Sequence, residues 1–168
     1  MAFTDAFLPE FEQEMKTTRS LLERVPLEKS DWKPHTKSTA LGALALHVAT
    51  LAGFGEMIVK ENGRDVAAGD PNARRAAEAK QRTREELLEM FDKNVSKSRA
   101  AIASLEDRDL GTTWTLRAGE RVIISQPRAA VLRTLLMNHI IHHRGQLSVY
   151  LRLNDVPLPS IYGPTADT

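Results

Sequence analysis

The sequence predicts an all-α fold, a four-helix bundle with one small β-hairpin between the third and fourth helices. Three observations carry that reading. Four long stretches place apolar residues at the three- and four-residue spacing of a helix face. Proline and glycine clusters punctuate the stretches between them. One stretch, Thr112–Ile124, drops the helical period and alternates instead. With 168 residues, 42% of them hydrophobic, the chain fits a single domain over residues 1–168. A chain of that size buries about two-thirds of its unfolded surface.

The first helix is expected from Thr4 or Asp5, either of which can cap, to Val25. Phe7, Phe11, Met15, Leu22 and Val25 mark its inner face, Pro9 is tolerable in the first turn, and Pro26 stops it. A loop follows over Leu27–Lys37. Ser38 or Thr39 then caps a second helix reaching Asn62-Gly63. Ala40, Leu44, His47, Leu51, Phe54 and Ile58 form one stripe on it. Gly42, Ala45, Ala49 and Gly53 form an opposite row small enough for a neighbouring helix to approach closely.

Residues Gly63–Arg75 read as a turn-rich loop, through Gly69-Asp70-Pro71-Asn72. The third helix is expected over Ala73–Leu105, with Ala76, Ala79, Thr83, Leu87, Phe91, Val95, Ser98 and Ile102 inward and a charged face to solvent. Trp114, Leu116, Val122 and Ile124 alternate around Arg117-Ala118-Gly119-Glu120, a hairpin that serves either as a lid or as a decorated crossover. Ser125 caps and Pro127 starts a fourth helix to Leu153. On a uniform wheel its core stripe is Leu132, Leu135, Leu136, His139, His143, Gln146, Tyr150 and Leu153. Met137 and Ile141 then fall on the reverse face beside Arg144, which is why a homodimer is expected. The tail Val156–Thr168 is extended.

Charge and cysteine content narrow the function. Twenty-three basic and 22 acidic residues leave a formal charge of +1, which argues against a nucleic-acid partner held by phosphate contacts. Without cysteine there is no disulfide, thiolate ligand or cysteine nucleophile. The chain shows no targeting segment at Met1–Asp5 and no 18-residue apolar span, so a cytoplasmic location without a membrane is expected.

Three of the five histidines fall within residues 138–143. His139 and His143, four apart on a helix, stack their imidazoles on one face with Cβ atoms roughly 5–6 Å apart. A pair is not a tight site, and His47 on the second helix is the candidate for a third ligand; alone, it reads more readily as a core histidine bonded to a carbonyl. Imidazoles gathered in an apolar core are costly if charged and hard to satisfy if neutral, and one divalent ion resolves that. Nickel, zinc and iron all accept such ligands. Position 140 is Ile, not the Glu of the HExxH zincin pattern, which argues against that protease chemistry. Gln146, one turn on from His143, could orient a bound ligand or bond within the core. Arg144 lies about 140° from His139, so it either reaches the site's mouth or makes an interhelical ion pair or a dimer contact. His35 reads as a surface or capping residue and His142 as a hydrogen bond to a neighbouring helix.

Two runs of residues resemble a known family. Trp32-Lys33-Pro34-His35-Thr36-Lys37-Ser38, with Leu44-Ala45-Leu46-His47, is similar to the opening signature of the DinB-like, YfiT-type superfamily. His139-Ile140-Ile141-His142-His143-Arg144-Gly145-Gln146, Tyr150-Leu151-Arg152-Leu153 and Tyr162-Gly163-Pro164 resemble its closing signature. The resemblance implies an up-up-down-down bundle whose metal ligands fall on His47, His139 and His143. Relatives often have Gly just past the fourth helix, where this chain has Asp155; Asn154 is expected to take the left-handed cap there. Some relatives are thiol S-transferases, some maleylpyruvate isomerases, and many have no assigned reaction. The expectation is therefore a metal-dependent enzyme, transferase- or hydrolase-like, that activates a low-molecular-weight thiol or water toward a small-molecule substrate. The alternatives are a stress-related binding protein with a structural ion and an interaction module whose histidines are merely packed.

Overall fold

Helix α1, Phe3–Leu22, begins one residue before the expected caps. Asp5 works from inside the first turn, its carboxylate accepting the Ala2 N–H at 2.9 Å, and Pro9 falls in the second turn rather than the first. Phe7, Phe11, Met15, Leu21 and Leu22 are buried along one face, as the spacing predicts. The computed structural model describes residues 2–68 and 82–167.

The second apolar stripe forms two helices instead of one, α2 over Leu41–Leu51 and α3 over Phe54–Lys60. Neither Ser38 nor Thr39 caps α2. Its first N–H groups go to loop carbonyls, Leu41 N–H to Trp32 and Gly42 N–H to Ser30, each at 2.9 Å. The expectation of no long apolar span also needs correcting: Leu41–Lys60, with mean hydropathy 1.5, is long and apolar enough to cross a membrane by composition. Here 44% of its most apolar window is buried inside the protein, and Leu41, Leu44, Ala45, Val48, Leu51 and Ile58 belong to the core.

The break at Ala52-Gly53 frees backbone groups that must be satisfied elsewhere. Helix α4, Arg84–Ala103, does this. Its Asn94 donates to the Ala49 carbonyl at 3.0 Å, and its Ser98 hydroxyl donates to the Ala52 carbonyl while accepting the Glu56 N–H at 3.2 Å. The helices come this close because Gly55 has no side chain: a Cβ there would stand 2.8 Å from Ser98. Ser98→Ala should therefore cost about 1–3 kcal/mol, the penalty for orphaning buried groups, measured as a shift in the urea midpoint. A cost under about 0.5 kcal/mol would show that water replaces the hydroxyl.

Thr83 caps α4, exchanging hydrogen bonds with Glu86 in a capping box. It is thus a cap and not the inner-face residue expected. The expected helix start at Ala73, its Ala76 and Ala79, and the Gly69–Arg75 turn cluster lie outside the described residues. At the front of that presumed loop, Gly63–Asp65 forms strand β1.

β1 runs parallel to β2, Thr113–Ala118, which pairs antiparallel with β3, Arg121–Pro127, giving the order β1-β2-β3. The hairpin is therefore part of a three-stranded sheet, which resolves the marginal stability of two strands. Gly119, at φ 61°, turns the chain, and its N–H is held by the Asp65 carboxylate at 3.0 Å. Trp114 enters the core, whereas Val122 stays exposed.

Since β3 continues to Pro127, Ser125 is a strand residue and the last helix starts later. It comprises α5, Arg128–Val131, a π-helical segment, Leu132–Asn138, and α6, His139–Arg152. The π segment was not foreseen, and it rotates the downstream face. Met137, Ile140, Arg144, Leu147 and Leu151 are buried, whereas Leu153 is 58% exposed. The outward Met137 that motivated a dimer is therefore a core residue. Arg144 forms a buried ion pair with Glu14 of α1 at 2.5 Å. Tyr162 from the tail donates to the same carboxylate and accepts from Arg144. Burial, and then the bond to Glu14, raises the Tyr162 pKa.

The last helix ends with Asp155, not Asn154, in the left-handed conformation at φ 59°, and the Val156 N–H closes back on the Leu151 carbonyl at 3.1 Å. A Cβ is disfavoured there, so Asp155→Gly should stabilise the fold by about 0.5–1 kcal/mol in thermal or urea unfolding. A loss of stability would mean that the Asp155 side chain compensates.

Candidate metal centre

Two helices build the site. On α2 the residues around His47, Leu44, Val48 and Leu51, face the core, and His47 sits half-buried at the edge of that face. On the last helix the π segment delivers His139 as the first residue of α6, and His143 follows one turn on. α2 packs against α6, which brings the three rings together. Their centroids are 5.4 Å apart for His47 and His139, 4.6 Å for His47 and His143, and 4.8 Å for His139 and His143.

One nitrogen from each ring lies within 4.8 Å of the others. Imidazole nitrogens sharing a tetrahedral ion at about 2.0 Å stand about 3.3 Å apart. Closing the triangle from 4.8 Å thus needs at most about 1.5 Å per pair, within the reach of side-chain torsions. All three histidines are half-buried. Among the described residues this group contains three nitrogen donors and no fourth protein ligand, the composition of an open site.

The surroundings of His139 favour its neutral form, as ligation requires. Burial lowers the His139 pKa, neighbouring His143 lowers it further, the Leu135 carbonyl pulls the other way, and His142 adds a smaller lowering. That carbonyl falls short of hydrogen-bond geometry, so His139 Nδ1 is buried without a partner. The Phe54 ring stands edge-on to His139, 6.5 Å between centroids. His143 Nδ1 is 2.7 Å from the Gln146 Oε1, and an amide oxygen facing it there accepts a hydrogen bond from Nδ1 and leaves the lone pair on Nε2. A partner behind the ring is the usual support of a metal-binding histidine, and His143 has one where His139 does not.

Of the residues singled out from sequence, the structure brings His47, His139, His143 and Gln146 together. Arg144 is elsewhere, locked to Glu14 and Tyr162. His142 bonds to Gln146 on its own helix, at 3.2 Å, rather than to a neighbouring helix. His35 is exposed and turned into its own loop, accepting the Lys37 N–H at 3.2 Å. Sequence reasoning missed the opening beside His47 and His143, a cavity of about 290 Å³ lined also by Thr39, Ala43 and Leu44. No hairpin residue lines it. A small residue at position 43, one turn before His47, is the only sequence trace of that space.

Comparison with known proteins agrees with this architecture. Residues 1–167 match the model of the family described as DinB family. No curated protein matches the chain. A DinB-like protein from Bacillus cereus superposes with a TM-score of 0.71 at 21% identity, covering 96% of this chain and 98% of its own. A DinB-like protein from Bacillus subtilis gives 0.66 at 21% identity, over 94% and 98%. At these identities the likeness speaks to fold.

Proposed function

The chain belongs to the DinB family, and on that footing we propose that it binds one divalent metal ion through His47, His139 and His143. We read the helices as the up-up-down-down bundle implied by the signatures, supported by the packing of α1 on α4 and α6 and of α2 on α6. The convergence of three ring nitrogens within 4.8 Å is the observation that carries the proposal. Nickel, zinc or iron would all suit a set of neutral imidazoles, and affinity order does not choose between them. When bound, such an ion is a Lewis acid that lowers the pKa of a thiol or a water and directs the resulting anion to an electrophile. The reaction class is therefore transferase- or hydrolase-like.

The protein's own part is positional. α2 and α6 hold the three donors on facing surfaces, and the core side of His139 is closed by burial. Among the described residues, the opening at Thr39, Ala43 and Leu44 is lined by no carboxylate, lysine or arginine, which suits a small uncharged group on the substrate. An open set of three donors favours catalysis over an ion that only staples the helices, because structural sites usually close with four.

Metal analysis of protein purified without a histidine tag tests the first half, with about one ion per chain expected. For the second, cobalt-loaded protein is titrated with low-molecular-weight thiols and its visible absorption followed. A spectral change supports thiol activation. Bound cobalt indifferent to every thiol removes the transferase reading, and removal of metal that unfolds the chain favours the structural ion.

A further inference from the structure

Gln146 faces two imidazoles at once. Its Oε1 is 2.7 Å from His143 Nδ1, and its Nε2 is 3.2 Å from His142 Nε2. An amide oxygen only accepts and an amide nitrogen only donates. In this orientation of the amide, His143 carries its proton on Nδ1 and His142 keeps a lone pair on Nε2. Turning the amide over would invert both assignments, placing the proton on His143 Nε2 and removing that nitrogen as a donor to an ion. Only one of these two self-consistent arrangements leaves His143 able to ligate through Nε2.

We propose that Gln146 is a positioning residue that locks His143 in its ligating tautomer and couples that choice to the exposed imidazole of His142. The purpose of the lock rests on the metal reading above; the lock itself does not. Loading a metal holds His143 Nδ1 protonated, so the amide stays in its present orientation and His142 Nε2 stays unprotonated. His142, outside the ligand set, thus carries the tautomer choice of His143 to the surface.

The test uses the full chain, 15N-labelled, at about pH 8, where free imidazoles are neutral, with long-range 1H–15N spectra assigning each histidine tautomer. In metal-free wild type, His143 should be protonated on Nδ1 and His142 unprotonated on Nε2. Gln146→Glu keeps an acceptor for His143 but loses the donor to His142, so His143 should be unchanged while His142 moves its proton to Nε2. Gln146→Leu should leave both histidines as tautomer mixtures and weaken zinc binding about tenfold or more; Gln146→Glu should restore most of that loss. The proposal is overturned if wild-type His143 is protonated on Nε2, if Gln146→Leu leaves both tautomers as they were, or if it binds zinc as tightly as wild type. A wild type that binds no zinc but shows the stated tautomers overturns the metal reading and leaves the lock standing.

Discussion

Arg144→Leu is expected to lower the unfolding free energy by about 3–5 kcal/mol, the cost of leaving a buried charge without its partner. Arg144 is 2% exposed at its side chain and Glu14 9%, so solvent does little to screen either. Arg144 also donates to the Glu14 carbonyl at 3.2 Å, and the Tyr162 ring lies 5.1 Å over its guanidinium. The double variant Glu14→Leu/Arg144→Leu should recover most of the loss, since a well-packed apolar pair replaces two ions without stranding one. Tyr162→Phe, which removes only the bridging hydroxyl, should cost less, about 1–2 kcal/mol. Urea unfolding of the four proteins measures these differences. A single variant within about 1 kcal/mol of wild type would mean that water enters and solvates Glu14.

His139→Ala is expected to weaken metal binding on the order of 100-fold or more, beyond the range for losing a supporting residue. Competition with a chromogenic chelator reads the affinity. The same variant tests the pH dependence of the metal-free protein. The folded state lowers the His139 pKa, chiefly by burial, whereas the unfolded chain titrates at about 6.5. Below that value the unfolded state binds a proton that the folded state resists. The stability linked to His139 is therefore complete above about pH 6.5 and is lost as pH falls toward the depressed folded value. Thermal unfolding across that window should slope more steeply for wild type than for His139→Ala. Parallel curves would mean that the ring charges freely in the fold.

Much of the site was legible because its spacing is local. His139 and His143 share a face at any helical register, and Gln146 follows His143 by one turn. What the wheel could not supply is the register between the two halves of the last helix. Across Leu132–Asn138 the turns hold more residues than the 3.6 assumed. Met137 and Arg144, assigned outward on a uniform wheel, are buried. The break in the second helix was invisible for a related reason: its stripe runs unbroken through Leu51, Phe54 and Ile58, and the groups that make the break tolerable, Asn94 and Ser98, lie over forty residues away. β1 was hidden because three polar residues carry no alternation; they become a strand only because β2 offers an edge.

The Glu14–Arg144–Tyr162 contact also bears on how the chain is assembled during synthesis. Glu14 emerges from the ribosome 130 residues before Arg144 and 148 before Tyr162. Until both arrive, α1 must either keep its acidic side chain in water or dock with it uncompensated. Pairings so distant in sequence slow folding. The nascent chain is thus expected to hold α1 loosely, open to chaperones, and to commit to its final packing only when the tail closes over Arg144.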